Sequence, residues 1–392
     1  MTPARPSPSP ATGRGQGARV SLSDHTTFHL GGPAARFVEV TTPADLVEAV
    51  RAADATAEPL FVLSGGSNVL VADAGFPGTV IHLATRGVAV TATSGEDLRL
   101  TVQAGHPWDE LVALAVAEGW SGIEALSGIP GLVGATPIQN VGAYGAEVAQ
   151  VIESVRVYDR LTGRIEVLPG AACGFGYRDS LFKRARGEGE PTGRHVVVDV
   201  GLRLRASGDS APIAYAELAR ALGVEAGRCA PLRDVREAVL GLRASKGMVV
   251  DEADHDTWSA GSFFTNPVVD AATAARLPAE APRYPQPDGT VKTSAAWLIE
   301  HAGLGKGWGI VHGRPDDSRT MGRGGAPATE APAATLSTKH VLALTNRGTA
   351  TADDVVSLAW SVIGAVRTRW SIDLVPEPVV VGMCLVDPLP RG

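Results

Sequence analysis

The segment that most restricts the possible folds is residues 126–147, LSGIPGLVGATPIQNVGAYGAE, which holds five glycines and two prolines among apolar residues. Prolines and glycines at this density exclude one continuous helix or strand. The segment is also too apolar for a solvated loop, and a buried irregular segment must satisfy its backbone polar groups. A bound pyrophosphate and a planar heterocycle would satisfy them, so we predict ligand contact here. The alternative is a tightly packed structural loop.

Composition restricts the class of protein. The chain has 392 residues, a mass of 40.4 kDa and 44% hydrophobic residues, enough for two or three domains. Its 35 basic and 42 acidic residues give a net charge of −7, which argues against a general nucleic-acid-binding protein. Cys173, Cys229 and Cys384 are far apart in the sequence, which excludes zinc ribbons and disulfide scaffolds and favours a reducing compartment.

The sequence contains no targeting or membrane-spanning pattern. No apolar stretch reaches the roughly 18 residues that a membrane span needs. Residues 1–18 are rich in Pro, Ser, Gly and Arg and lack the apolar region of a secretory signal. We therefore predict a disordered tail over residues 1–18, a cytoplasmic location and no membrane partner.

Short predicted strands and helices alternate in the first half, which is typical of an α+β protein. The strands are predicted at residues 37–40, 60–63, 79–83, 98–102, 155–158 and 196–204. The helices are predicted at residues 43–53, directly after Thr42, and at residues 108–118. Thr162 and Gly163 predict the turn of a hairpin over residues 155–168.

The second half contains more predicted helix. Helices are predicted at residues 215–222, 232–245, 294–301 and 353–369, the last one opened by a capping box from Thr351 to Asp354. Strands are predicted at residues 258–269, 341–345 and 378–382. Residues 313–335 hold Gly, Pro, Ala, Arg, Asp and Thr with little apolar content, so we predict a flexible insertion there.

Two segments combine tight turns with polar groups. Gly65 and Gly66 separate two predicted strands, and their backbone N–H groups can face an anion, with Ser67 and Asn68 alongside. An ordinary β-turn is the alternative. Arg178, within residues 175–180, can clamp a carboxylate or an oxyanion. A surface ion pair with the next residue is its alternative.

Ser262 and Glu377 are isolated polar residues, and each has two alternative interpretations. Ser262 follows a glycine and precedes two phenylalanines, which suits either a proton donor or a strand-end hydroxyl. Glu377 lies between two prolines that restrict its direction, and it is either functional or a solvated turn acid. The sequence has no GxGxxG after a strand, no Walker A, no HExxH and no GxSxG. We therefore predict neither a Rossmann site nor a metal site.

Together and in this order, these segments resemble the UDP-N-acetylenolpyruvoylglucosamine reductase family, flavoenzymes that complete UDP-N-acetylmuramate in bacterial peptidoglycan synthesis. The most specific parts are residues 65–68, 129–145, 176–180, 261–267 and 376–377. The resemblance extends from about Thr26 to about Gly382, except for residues 313–335.

The resemblance implies a fold and its division into domains. The fold is the FAD-binding fold of the vanillyl-alcohol oxidase (PCMH) type, with two α/β subdomains, followed by an α+β substrate-binding domain. The subdomains would cover residues 19–88 and 89–243, with residues 374–392 returning to the second. The substrate-binding domain would cover residues 244–373, including the flexible insertion over 313–335.

The resemblance also implies the FAD contacts. The pyrophosphate of FAD would lie on residues 65–68 and 129–145, in agreement with the glycine pattern. The residues assigned to FAD are Ser64, Gly65, Gly66, Ser67, Asn68, Ile129, Pro130, Gly131, Gly134, Ala135, Gln139, Asn140, Gly142, Ala143, Tyr144 and Gly145.

The implied reaction has two halves: hydride passes from NADPH to flavin N5, and then to C3 of the enolpyruvyl group of the substrate. Arg178 matches the arginine that would hold the substrate carboxylate and neutralise the developing enolate. Glu377 matches the glutamate that would polarise the same group. Ser262 matches the serine that would donate a proton to C2.

Further residues are implied to bind the UDP-sugar. Lys246, Lys292 and Lys306 match lysines that face the diphosphate, although the charge of Lys246 also suits a helix C-terminus. The complete implied substrate set is Tyr144, Arg178, Lys246, Asn266, Tyr284, Lys292 and Lys306. The protein is expected to act on a small molecule as a monomer, without nucleic acid.

The sequence departs from the family pattern in three places. Residues 184–194 lack the loop tyrosine of the family's first class and hold three arginines, so a phosphate contact there either passes to an arginine or is absent. His340 replaces a glutamine of the third domain, and residues 313–335 have no counterpart in compact members. Two other functions stay open: a flavin oxidase or dehydrogenase of the same superfamily, and a non-catalytic protein that binds nucleotide sugars.

Overall fold

The first structural unit combines a small parallel sheet with one helix. The structure is a computed structural model that describes residues 20–187, 189–310 and 331–383. The elements of this unit are β1 (Ala34–Val40), α1 (Pro43–Thr56), β2 (Leu60–Leu63), β3 (Val69–Val71) and β4 (Phe76–Leu83). Strands β1, β4 and β2 pair in parallel in that order. Helix α1 begins at the predicted position, because the side chain of Thr42 accepts a hydrogen bond from the backbone N–H of Asp45.

The second unit is an antiparallel sheet with strand order β11-β10-β12-β6-β5, and β7 pairs with β12. Its longer elements are β5 (Val88–Ser94), β6 (Asp97–Gln103), α2 (Trp108–Ala117), β10 (Ile152–Asp159), β11 (Arg164–Pro169) and β12 (His195–Ala206). Its short elements are β7 (Trp120–Ser121), α3 (Thr136–Gln139), β8 (Gly142–Ala143), β9 (Ala146–Glu147) and α4 (Leu181–Arg184). The predicted hairpin is formed by β10 and β11, with Gly163 at a φ of 70° in the turn.

One hydrophobic core joins these two units. Leu46 of α1, Ile81 of β4, Leu100 of β6, Trp108 of α2 and Val200 of β12 are all buried in the same cluster. The alternation of buried and outward residues along β6 is the pattern of a strand with one covered face. The two units therefore stabilise each other through a shared apolar interior.

The third unit is mixed and follows β12. Its helices are α7 (Ala271–Arg276), α8 (Ala295–Glu300) and α9 (Ala352–Trp370), whereas α5 (Ala216–Leu222) and α6 (Leu232–Ser245), which precede them, form a small separate core beside the second unit. Its strands are β13 (Val268–Val269), β14 (Arg283–Pro285), β15 (Val291–Thr293), β16 (Ala334–Leu336) and β17 (Leu344–Asn346), and β18 (Val379–Val381) follows α9 and joins the first unit. Helix α9 has the predicted capping box between Thr351 and Asp354. A second core packs α8 and α9 against Phe28, Leu30 and Leu70 of the first unit.

The end of the chain returns to the first subdomain, so the predicted return of residues 374–392 to the second subdomain is wrong over its described part. Strand β18 pairs in parallel with β3, and Val381 lies opposite Val71. Val381 is buried in a core formed with Phe61, Leu63 and Val80 of the first unit. Burial of this apolar side chain in the first sheet's core favours that pairing.

Residues 258–269 do not form the predicted strand: β13 is paired at their end, and Phe264 forms an isolated bridge with Pro376. Gly261 has a φ of 71°, which interrupts the run. The following backbone groups also bond to two different loops, since the N–H of Phe263 donates to the carbonyl of Leu342 and the N–H of Thr265 donates to that of Val375. The apolar run is thus buried without belonging to one sheet.

The predicted flexible insertion over residues 313–335 is wrong at its end, and residues 313–330 lie outside the described residues. Ala334 and Thr335 begin β16, which pairs with β17 and is buried along its length. The hydroxyl groups of Thr335 and Thr345 lie 3.3 Å apart across this pair, within the core. The predicted tail over residues 1–18 also lies outside the described part of the chain. None of the described helices is long and apolar enough to cross a membrane.

Candidate active site

Arg178 and Glu377 form an ion pair, although 199 residues of sequence separate them. The Nε atom of Arg178 lies 3.3 Å from Oε1 of Glu377, and their side chains are only 26% and 15% exposed. The Nη2 atom of Arg178 also donates a hydrogen bond to the carbonyl of Gly142 at 3.0 Å. The guanidinium is thus held between Gly142, in the glycine-rich segment over residues 126–147, and Glu377, near the end of the chain. Part of its surface is open to a cleft.

Ser262 lies in the same cleft, which has a volume of about 180 Å³. Its loop is joined to that of Glu377, because the N–H of Glu377 donates to the carbonyl of Phe263 at 2.8 Å. The side-chain amide of Asn68 donates to the carbonyl of Glu377 at 3.4 Å. The structure therefore brings the three predicted catalytic residues to one cleft, next to the first glycine turn.

That turn and the glycine-rich segment pack backbone against backbone. A Cβ atom on Gly65 would lie 2.6 Å from Cα of Gly131, too close for any side chain. Gly66 has a φ of 60°, and a Cβ there would lie 1.9 Å from the carbonyl oxygen of His25. The hydroxyl of Ser67 donates to the carbonyl of Pro130 at 3.1 Å. These glycines are required by close approach to other backbone; the sequence had indicated their freedom of φ and an approach to a ligand, but not this packing.

A second cavity, of about 150 Å³, lies on the other side of this turn. Ser67, Asn68, Ala135 and Gln139 line both cavities, so the two form one elongated site. The hydroxyl of Ser64 is buried at this cavity without a hydrogen-bond partner. A buried polar atom without a partner, beside backbone that no side chain covers, fits a ligand with phosphate or carbonyl oxygens. The residues present therefore fit FAD.

Several other predicted FAD residues have clear positions. Ile129, Pro130, Gly131 and Gly142 line the first cavity, and Gly134 lines the second. Asn140 is bonded within the protein: its amide donates to Glu147 and to the carbonyl of Gly176, and its oxygen accepts from Ala149. Asn140 itself has a φ of 42°, in the left-handed region, so it forms part of a turn in the glycine-rich segment.

Tyr144 lies beyond both cavities, with Ala143 and Gly145 on either side. Its ring meets that of Tyr215 edge to face, with centroids 5.6 Å apart. The ammonium of Lys246 lies 5.8 Å from the centroid of the Tyr144 ring. Burial raises the pKa of Tyr144 to about 12, so the phenol stays protonated at neutral pH.

The cations predicted to face a diphosphate are divided between two places. Lys246 and Lys306 both lie close enough to His340 for their charges to disfavour its protonation. Burial, as the larger cause, and these two charges lower the pKa of His340 to about 4. The ammonium of Lys246 lies 2.8 Å from both carboxylate oxygens of Glu217 on α5. An anionic ligand at this cluster would have to compete with Glu217.

Lys292 belongs to a different group of residues. Its ammonium lies 4.4 Å from the centroid of the Tyr177 ring, and it is paired on the sheet with Tyr284, which is 52% exposed. The backbone N–H of Asn266 donates to the hydroxyl of Tyr177 at 3.4 Å, and its side-chain oxygen accepts from Ala295. These residues lie beside the turn over residues 176–179, which contains Arg178, and outside the 180 Å³ cleft.

The three arginines of residues 184–194 have different surroundings. Arg184 pairs with Asp179, and Arg194 pairs with Asp159. Arg186 lines the second cavity beside residues 64–68, and its burial lowers its pKa. Of these arginines, Arg186 is the one placed to meet a phosphate group of a ligand in that cavity.

Sequence reasoning missed Arg243, a buried arginine in the first cavity. It is 8% exposed, its Nε atom has no hydrogen-bond partner, and its Nη2 atom donates to the carbonyl of Met248 at 2.7 Å. Burial lowers its pKa to about 10, against the opposing effects of Tyr144 and Asp109. The sequence did contain a signal for Arg243. It follows Val235 and Val239 at intervals of four residues, which places it on the buried face of α6.

Comparison with known proteins identifies the class of this fold and site. The sequence matches the family described as FAD binding domain over residues 34–168, which holds the glycine turn and the glycine-rich segment. The predicted FAD-binding fold with a C-terminal α+β domain is confirmed. The protein is an FAD-dependent oxidoreductase.

The rest of the chain matches one particular family. Residues 252–316 and 321–381 match the family described as UDP-N-acetylenolpyruvoylglucosamine reductase, C-terminal domain. The reductase of that name from Salinispora arenicola is 51% identical over 94% of this chain and 96% of its own. The one from Thermobifida fusca is 50% identical over 93% and 98%. The chain belongs to the UDP-N-acetylenolpyruvoylglucosamine reductase family, as the sequence motifs predicted.

A solved structure agrees with this assignment. The crystal structure of UDP-N-acetylenolpyruvylglucosamine reductase from Thermus caldophilus matches with a TM-score of 0.58 and 27% identity. The match covers 93% of this chain and 98% of that one. The similarity therefore extends over both the FAD-binding part and the C-terminal domain.

Proposed function

We propose that this protein uses NADPH to reduce the enolpyruvyl group of UDP-N-acetylglucosamine enolpyruvate, forming the lactyl ether of UDP-N-acetylmuramate for peptidoglycan synthesis. The observation that carries the proposal is the convergence of Arg178, Ser262 and Glu377 on one cleft. That cleft shares Asn68 and Gln139 with the cavity that fits FAD. A substrate in the cleft would thus meet these polar groups directly beside the cofactor.

Arg178 binds the carboxylate of the enolpyruvyl group. Its guanidinium is only partly used by Glu377 and Gly142, and it lines the cleft. The same charge stabilises the negative charge that develops on the enolate as C3 is reduced. Glu377 orients the guanidinium and polarises the same end of the substrate. When bound, FAD supplies the hydride for C3, which it receives at N5 from NADPH.

Ser262 donates the proton that C2 requires. Serine is a weak acid, so the hydroxyl must be aligned with C2 rather than driven by a large difference in pKa. The alignment is supported by the bonded backbone around it, since Gly261 donates to the hydroxyl of Ser259 at 3.1 Å and Phe263 donates to Leu342 at 2.7 Å. These contacts hold the loop on both sides of the serine.

The diphosphate of the substrate binds at Lys246 and Lys306. Both lie near the partly buried His340, and Lys246 is held by Glu217 in the free protein. A diphosphate carries more charge than the carboxylate of Glu217, so it would displace that ion pair. Lys292, with Asn266 and Tyr284, contacts the sugar or the uridine. The monomeric state and the cytoplasmic location stay predictions.

An anaerobic visible spectrum tests the function in one experiment. The purified protein should be yellow, lose its colour when NADPH is added, and regain it only after UDP-N-acetylglucosamine enolpyruvate is added. A protein that stays colourless after FAD is supplied would support the nucleotide-sugar-binding alternative. Loss of colour without recovery would retain the flavoenzyme and contradict this substrate, which would favour an oxidase or dehydrogenase of another substrate.

A further inference from the structure

Lys183 is a partly buried charged residue that the proposed reaction does not use. It lies on the short helix α4, in the turn that follows Arg178. Its ammonium donates a hydrogen bond to the backbone carbonyl of Arg178 at 2.8 Å and another to Oε1 of Gln139 at 3.4 Å. Burial lowers the pKa of Lys183, while the nearby carboxylates of Glu377 and Asp179 oppose this.

Arg178 has a backbone conformation that requires support. Its φ is 51°, in the left-handed region that non-glycine residues adopt only when the surrounding structure holds them there. The turn is closed by two backbone hydrogen bonds between Gly176 and Asp179. These bonds leave the carbonyl of Arg178 without a partner in the turn, and the ammonium of Lys183 is the donor that it meets.

The helix that carries Lys183 is itself attached to the glycine-rich segment. The hydroxyl of Ser180 accepts from the N–H of Lys183 at 3.1 Å and donates to the carbonyl of Ile138 at 2.7 Å. The next residue, Gln139, lines both cavities and accepts from the Lys183 side chain. Lys183 therefore connects the backbone of Arg178 with the segment that contacts FAD.

We propose that Lys183 is a positioning residue, which holds Arg178 in its left-handed conformation and sets the guanidinium between Gly142 and Glu377, at a fixed distance from the cofactor segment. This inference rests on the proposed function. Lys183 itself does not touch the substrate. Because a displacement of about 1 Å at a reacting group can cost about 100-fold in rate, loss of this contact acts on the step that uses Arg178.

The test compares the two half-reactions in Lys183→Met, which keeps the length of the side chain and removes its charge and donors. Stopped-flow spectra would follow flavin reduction by NADPH and then flavin reoxidation by UDP-N-acetylglucosamine enolpyruvate. We expect reoxidation to slow by about 10- to 100-fold and reduction to change by less than about threefold. Lys339→Met is the matched control, since Lys339 is a partly buried, ion-paired lysine outside both cavities.

Lys183→Arg distinguishes positioning from a general effect on the fold. A guanidinium can donate to both acceptors. Flavin reoxidation in Lys183→Arg should therefore be at least about tenfold faster than in Lys183→Met. A crystal structure of Lys183→Met should show Arg178 outside the left-handed region or separated from Glu377. If Lys183→Met does not fold, Lys183→Gln, which is uncharged and retains an amide NH2 group as a donor, replaces it in the same comparison.

Two results would overturn the inference: equal slowing of both half-reactions in Lys183→Met, or normal reoxidation with Arg178 unmoved. Failure of the proposed function gives a different result. In that case the wild-type protein itself would not be reoxidised by the substrate, whatever the variants do.

Discussion

Ser262 lies in a loop that other residues hold in place. Gly261, before it, has a φ of 71°, and Phe263, after it, is fully buried with its N–H and its carbonyl both bonded. The loop therefore keeps its position without a contribution from the serine hydroxyl. Substitution of Ser262 should therefore remove the hydroxyl without moving the backbone of the loop.

Ser262→Ala should slow flavin reoxidation by the substrate by about 10²–10⁴-fold, because one aligned proton donor is lost. Flavin reduction by NADPH should stay near the wild-type rate, since that half-reaction needs no proton at C2. Stopped-flow absorbance measures both. Ser361→Ala, on α9, is the control because its hydroxyl bonds only to its own helix. Equal loss in both half-reactions would contradict the assignment of the proton donor.

His340 should make stability depend on pH, because burial, with Lys246 and Lys306, lowers its pKa from 6.5 to about 4 while Glu217 opposes the shift. Between these values the unfolded chain binds a proton that the folded protein does not, so stability falls as pH decreases from 6.5 toward 4. From pH 7.5 to pH 5, this group should cost about 2 kcal/mol. Urea unfolding of the wild type and of His340→Gln at both values measures the difference. An unchanged pH dependence in His340→Gln would contradict it.

At the scale of secondary structure, the site depends on two turns that touch through their backbones. The turn between β2 and β3 carries Gly65, and the irregular segment before α3 carries Gly131. The density of glycine and proline predicted both turns, because only glycine tolerates such contact and such values of φ. That they touch each other followed from packing, which no local pattern contains.

Gly65→Ala should separate the two turns, because the new Cβ would lie 2.6 Å from Cα of Gly131 and 3.2 Å from its carbonyl carbon. We expect FAD affinity to fall by at least about tenfold and stability to fall by about 1–3 kcal/mol, as in other overpacked sites. Fluorescence titration of the apoprotein with FAD gives the affinity. Gly208→Ala, where nothing lies within 4 Å of the new Cβ, should change neither quantity.

Helices and strands were predicted well where one face is buried regularly. Helix α6 has the predicted bounds, and α1, α2 and α9 begin at or within one residue of the predicted positions. Residues 258–269 and 313–335 were predicted less well. The first is bonded to two different loops and not to the strands of one sheet, and the second ends in β16, a short buried strand whose composition resembles that of a loop.

At the scale of the whole molecule, the last described strand links the chain's end to its beginning. Strand β18 pairs with β3, and the N–H of Val379 donates to the carbonyl of Asn68 at 2.9 Å. Glu377 lies just before β18, so this pairing sets its position relative to Arg178. The active site therefore requires the end of the described chain to stay paired with the first unit.

Val381→Ala should reduce the free energy of unfolding by about 2 kcal/mol, because Val381 is 1% exposed in the first core. Activity should fall as well, since a weaker β18–β3 pairing loosens Glu377. Urea unfolding and the reoxidation rate measure the two effects. Val375→Ala is the control in the same segment, because Val375 is 61% exposed. Unchanged stability in Val381→Ala would contradict the contribution of this strand to the core.

The sequence by itself determined the features that depend on a few neighbouring residues. Among these are the glycine turns, the hairpin at Gly163, the capped start of α9 and the motifs that indicate the family. Propensity, capping and steric limits act over a few residues, so they leave a pattern that can be recognised in one dimension. The residue types at 178, 262 and 377 were recognisable in the same way.

Only the tertiary structure decided which of these features meet. The ion pair of Arg178 with Glu377, the return of β18 to β3, the buried Arg243 and the contact of Lys183 with the Arg178 carbonyl all join distant or differently oriented segments. Such contacts depend on the total apolar surface that can be buried and on which polar groups then find partners. These are properties of the whole packed chain, so no local pattern specifies them.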